Sequence, residues 1–161
     1  MFDRAIHRSI GCTAPGAGQP VSFSCMVVES GDGVVAALAD AWNPSPLSPP
    51  VPMEHQLLLR LPGVGVVVTR DYNLTWLGGT LQPRGFLLTV DARGVEGSLE
   101  GRVVSYWPPR WPRMHGAWWS PGATYTWGRC FTLWRGWLRA GGRVFNVTGV
   151  GVGEYTGYSG G

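Results

Sequence analysis

The chain predicts an all-β fold: a single antiparallel up-and-down barrel of about eight strands, with a two-sheet β-sandwich as the alternative. Three observations carry this. Apolar residues alternate at period two along most of the 161 residues, and helical periodicity is almost absent. The apolar runs are short and separated by Gly- and Pro-containing turns of hairpin length, the pattern of a meander. With 44% hydrophobic, 12% aromatic and 14% charged residues and a net charge of +3, the 25 glycines and 13 prolines mark turns in a folded chain rather than disorder. Closing such a sheet into a barrel abolishes its edges.

Val21 to Glu29 is a β-branched strand ending at the Ser30-Gly31-Asp32-Gly33 turn, and Val34 to Ala41 is its partner. Asn43 to Met53 holds five prolines and reads as a loop. Gln56 to Leu61 and Val64 to Trp76 flank Pro62-Gly63, a hairpin signal. The second run puts Val66, Val68, Tyr72, Leu74 and Trp76 on one face, with Asp71 on the other. Gly85 to Val90 returns, and the chain turns over Asp91 to Gly94. Val95 to Glu100 and Arg102 to Trp107 follow, split by a bend or bulge at Gly101. Pro108 to Pro121 is a long loop. Ala123 to Leu133 alternates cleanly, Phe131 to Leu138 is strand or a short helix, and Arg143 to Val150 is the last strand. Residues 1–20 form a tail or cap, 21–155 the barrel domain and 156–161 a flexible end.

All thirteen basic residues are arginines, scattered singly along the chain, so no basic stripe announces a nucleic-acid partner. No apolar run approaches the roughly eighteen residues of a membrane span. Cys12, Cys25 and Cys130 are odd in number and lack CxxC spacing, which points to buried thiols in a cytoplasmic protein. Nucleophile elbows, Walker loops and HExxH are missing, and His7, His55 and His115 lack ligand spacing, so neither metal nor cofactor is expected. Gly149 to Gly153 alternates glycine with valine but has no helix behind it to make a phosphate cradle. Among the carboxylates, Glu154 is the candidate general acid if buried against aromatic rings.

Seven of the nine tryptophans lie between Trp107 and Trp137. Rings could simply fill a core, yet a Trp118-Trp119 pair in a Pro- and Gly-rich loop suits a pocket wall or lid better. Trp76, Trp107, Trp118, Trp119, Trp127 and Trp134 are therefore the candidate lining, and the partner an apolar small molecule. A tryptophan-rich protein interface is the weaker alternative, and self-association into a homodimer stays open.

In strand number, hairpin connectivity and aromatic interior over Val21 to Tyr155, the chain resembles the lipocalin-like, or calycin, small β-barrels. Bacterial natural-product cyclases of the Diels–Alderase type use such barrels. The resemblance implies a cofactor-free cyclase or isomerase acting on an apolar polyene- or polyketide-like substrate. Tyr106, His115, Tyr125 or an indole N–H would then donate a hydrogen bond to a substrate carbonyl. A non-catalytic barrel that binds an apolar ligand is the alternative.

Overall fold

The computed structural model describes residues 22–42, 52–78, 83–107, 113–117 and 120–159. The segment 1–20, the loop residues 43–51 and Trp111, Trp118 and Trp119 lie outside the described residues. Ten strands form one antiparallel sheet: β1 (Ser22–Ser30), β2 (Val35–Trp42), β3 (Pro52–Leu61), β4 (Gly65–Thr69), β5 (Tyr72–Leu77), β6 (Gly85–Ala92), β7 (Val95–Trp107), β8 (Arg113–Ala117), β9 (Ser120–Ala140) and β10 (Arg143–Ser159). Nine pair in the order β4-β3-β2-β1-β10-β9-β7-β6-β5, and β8 pairs with β9.

That order is a meander curled until its ends nearly meet. Every neighbouring pair on the path is antiparallel, so β4 and β5, at its two ends, run in the same direction. Only Arg70 and Asp71 separate them. They are two halves of one bent strand, the first paired with β3 and the second with β6. Counted once, the bent strand makes an eight-stranded barrel. At the bend, the Asp71 N–H donates to Thr69 Oγ1 (2.9 Å) and the Asp91 N–H to the Asp71 carbonyl (3.2 Å).

The bend corrects one expectation. A single straight run over Val64 to Trp76 puts all its even-numbered residues on one face. Instead the two halves present opposite faces: Val66 and Val68 are 61% and 53% exposed, whereas Tyr72 is buried. The ladder leaves a seam where β4 stops, since β4 reaches along β3 only as far as Leu57. Tyr72 fills it. Its ring stacks on His55 (centroids 4.2 Å apart, 13° between planes), and its hydroxyl donates to the Ala39 carbonyl at 3.1 Å.

Strand parity puts the apolar residues inside. Leu57, Leu59 and Leu61 on β3, with Phe86 and Leu88 on β6, are fully buried. Outside, mid-strand, stand Glu100, Arg102 and Arg135. The apolar interior is unlike that of a porin-type barrel set in lipid, whose interior is polar. No helix of the described residues is long and apolar enough to cross a membrane.

Among the described residues the largest interior side chain is Trp134, and glycines make its place. Gly101 on β7 and Gly149 on β10 flank it directly in register. A Cβ on Gly101 would overlap the indole ring, and one on Gly151 would lie 2.7 Å from Nε1. The indole therefore lies against bare backbone on both sides. Its Nε1–H donates to Thr132 Oγ1 at 2.7 Å, and Phe86 stacks nearly parallel at 6.3 Å. The same exchange of large for small recurs at Leu99 opposite Gly136 and Leu138 opposite Gly97. Such interdigitation lets a narrow barrel be filled without voids.

The ladder decides several local expectations. Gly149, Gly151 and Gly153 are consecutive inward positions of a laddered strand, which accounts for the glycine alternation. Phe131 to Leu138 is strand, so Trp134 points in while Trp137, 40% exposed, points out; one helical face would have joined them. No bulge occurs at Gly101, which stays in register with Trp134. The stretch expected as loop before Pro121 contains β8.

Replacing Trp134 with alanine should cost about 3–5 kcal/mol of unfolding free energy, as for other fully buried large aromatics. Gly101→Ala should cost about 1–3 kcal/mol by overpacking, while Gly31→Ala, with open space before it, should be nearly neutral. Urea denaturation of the three variants checks the order. Equal midpoints for Gly101→Ala and the native chain would show that the indole has room to move.

Candidate functional site

One irregularity decides which aromatic residues of β7 enter the barrel. Val103 pairs with Thr132 and Ser105 with Phe131, leaving Val104 without a partner in the ladder. This bulge shifts the alternation by one residue. Inward positions are odd-numbered up to Val103; beyond the bulge Tyr106 takes the inward place opposite buried Cys130. Trp107 is turned out, 56% exposed, with the Arg129 guanidinium 5.9 Å from its ring centre. Without the bulge, Trp107 would face in and Tyr106 out. The only hint in the sequence is a pair of consecutive valines, Val103-Val104, in an otherwise alternating strand.

Tyr106 sits half-buried and donates its hydroxyl proton to the Pro83 carbonyl at 2.5 Å. Burial pushes its phenol pKa above the ordinary value of 10; nearby Cys130 adds to the rise, and Arg84 opposes it. The hydroxyl therefore stays protonated through the physiological range, a neutral donor inside an apolar wall.

Register extends this point into a cross-section of the barrel. Tyr106 lies opposite Cys130, Cys130 opposite Gly153, Gly153 opposite Met26, Met26 opposite Leu38 and Leu38 opposite Leu57. Cys130, Gly153, Met26, Leu38 and Leu57 are buried. On β9 and β10 this level carries a thiol and a bare backbone, and Gly128 is the next inward position of β9. Toward the other end, Trp134, Phe86 and the leucines fill the barrel.

The remaining candidates gather around this end in the ladder. Glu154 stands opposite Cys25 and Arg129, Trp127 opposite Thr156, Tyr125 opposite Met114 and Tyr158, and His115 opposite Thr124. Tyr106, Trp107, His115, Tyr125, Trp127 and Glu154 thus belong to one continuous area of β7, β8, β9 and β10. Trp76 and Trp134 do not. Trp76 stands opposite Phe86 on the bent strand, and Trp134 is packed into the core with its donor bound to Thr132. Sequence reasoning gave Cys130 no part in a site and missed the Pro83 carbonyl; both follow from where the bulge places Tyr106.

The opposite end carries a shallow cavity of about 330 Å³ lined by Asp91, Glu96, Arg139 and the turn residues Gly94, Gly141 and Gly142. Within it Arg139 pairs with Glu96 at 2.6 Å, and Asp91 adds a second carboxylate. Ala92, Val95 and Ala140 complete its lining, and no aromatic ring reaches it. Among the described residues, no group of three or more His, Cys, Asp or Glu is placed to hold a metal ion. Comparison with protein families finds no match for the chain, and none of the curated proteins matches its sequence.

Tyr106→Phe should lower stability by about 0.5–1.5 kcal/mol near neutral pH by deleting the bond to Pro83. The raised pKa sets how this difference varies with pH. Because the unfolded chain ionises first, near pH 10, the native protein loses stability as pH rises past that value and through the higher folded one. The variant has no such loss at this position. Chemical denaturation between about pH 7 and 11 should show the native advantage shrinking. A difference independent of pH would place the phenol in ordinary solvent.

Proposed function

We propose that the Tyr106 end of the barrel binds an apolar, polyene- or polyketide-like small molecule and folds it for cofactor-free cyclisation or isomerisation. The observation that supports this is the cross-section through Tyr106, Cys130, Gly153, Met26 and Leu38: apolar, carrying only a thiol and a bare backbone on β9 and β10, and holding a single neutral phenol. An intramolecular cycloaddition exchanges π bonds for σ bonds within one molecule. It requires no nucleophile and no net proton or electron transfer. The protein would contribute orientation, which is worth several kcal/mol when a flexible chain is held in its reactive shape. Tyr106 would polarise a guest carbonyl by moving its proton from the Pro83 carbonyl to the guest, replacing one hydrogen bond with another.

That same bond favours a second reading, in which the barrel holds an apolar ligand without turning it over. Tyr106 already has an acceptor, so binding does not require its hydroxyl. A reducing, cytoplasmic setting suits the buried thiol of Cys130 in either case.

Titration with a conjugated polyene fatty acid should quench or shift tryptophan fluorescence. Trp118→Ala and Trp127→Ala should weaken the response, and Cys130→Phe, which fills the cross-section, should abolish it while leaving the circular dichroism spectrum unchanged. Silence across a broad panel of apolar ligands would remove the pocket and favour tryptophans serving a protein interface. Turnover is tested by comparing metabolites of strains with and without the gene: a missing cyclised product supports catalysis, and identical profiles with retained binding support the carrier.

A further inference from the structure

The outer face of the barrel carries a row of four residues whose order is chemically informative. Arg102 on β7 lies opposite Leu133 on β9, Leu133 opposite Val150 on β10, and Val150 opposite Glu29 on β1. Residues directly opposite in an antiparallel ladder share a face, and here it is the outer one: Leu133 is 47% and Val150 57% exposed. The neighbouring row repeats the apolar centre, with Phe131 (46% exposed) between Ser105 and Val152, and Val27 beyond. Bulged Val104, 50% exposed, borders both rows. The result is an exposed apolar stripe with a cation on one flank and an anion on the other.

Those two charges differ from others on the same wall. Arg135 and Arg139 are paired within the chain to Glu100 and Glu96. Among the described residues, Arg102 and Glu29 make no ion pair.

We propose that this face docks a second copy of the chain about a twofold axis parallel to the strands and running between β9 and β10. Such an axis exchanges the two flanks. Each Arg102 then meets the partner's Glu29, and each Leu133 meets the partner's Val150, an isologous contact in which every pair occurs twice. The polarity selects this occupant. A uniformly acidic surface, such as an anionic membrane, gains at Arg102 but is repelled at Glu29, and a uniformly basic one does the reverse. Two convex barrels touch along a stripe, so the interface falls at the small end of the range and the dimer dissociates at on the order of ten micromolar.

Sedimentation velocity of the native chain from about 1 to 500 μM should show a monomer–dimer equilibrium in that range. Arg102→Glu and Glu29→Arg each set like charges against each other twice per dimer and should weaken association by about tenfold. The double variant, with the charges exchanged, should recover it. Mixing the two single variants should yield a heterodimer tighter than either homodimer, because only the mixture restores both pairs. Val150→Asp should give monomer with an unchanged melting temperature, which separates loss of docking from loss of fold. A chain monomeric at all these concentrations overturns the proposal. So does a dimer indifferent to the single reversals, or one the double variant fails to restore.

Discussion

The fold depends on fitting one indole into a barrel barely wide enough for it. Trp134 occupies the interior only because Gly101 and Gly151 withhold a side chain where its ring must lie. A barrel of about eight strands has room for side chains or, where they are small, for one small ligand. Its interior must therefore be apportioned position by position, and the glycines of β7, β9 and β10 are the instrument. They occur inside strands, where glycine lowers β propensity. The cost is offset by removing an interior tryptophan, with its large apolar area, from water.

The strands were legible because period two is a direct projection of in and out. The hairpin at Pro62-Gly63 and the turn at Gly141-Gly142 were legible because only a few residue types make such turns. What escaped was parity, the count that says which alternate residue is inside. Val104 changes it on β7, and the Arg70-Asp71 bend changes it between β4 and β5. The first leaves only the doubled valine Val103-Val104 and the second no compositional mark, since each is a backbone choice that the neighbouring strands enforce. A reader of sequence sees the alternation and cannot tell where it slips.

The candidate site shares this history. Its residue types were visible: a dense aromatic run without nucleophile, metal set or phosphate loop. Their assignment to inside or outside was not. Tyr106 and Trp107 are adjacent, and one missing bulge would have exchanged their roles. Trp134 was visible as an aromatic but not as core filler, because the glycines that receive it are distant in sequence and meet it only in the closed sheet. Arginines that look scattered along the chain are likewise placed by the ladder: Arg135 and Arg139 beside glutamates of β7, and Arg102 at the edge of an apolar stripe.

The pairing of β1 with β10 bears on how the barrel comes into being. Ser22 lies opposite Gly157, so the ladder that completes the circle joins the first described strand to the last. Hairpins β1–β2, β3–β4 and β6–β7 can form as each is synthesised, but one edge of β1 waits for almost the whole chain. Such non-local closure is slow, and an open edge is sticky while it lasts. Synthesis of this chain thus exposes a long unpaired strand, MVVES at its end, until β10 arrives to cover it. Until β10 is made, the barrel is a sheet in search of its own far end.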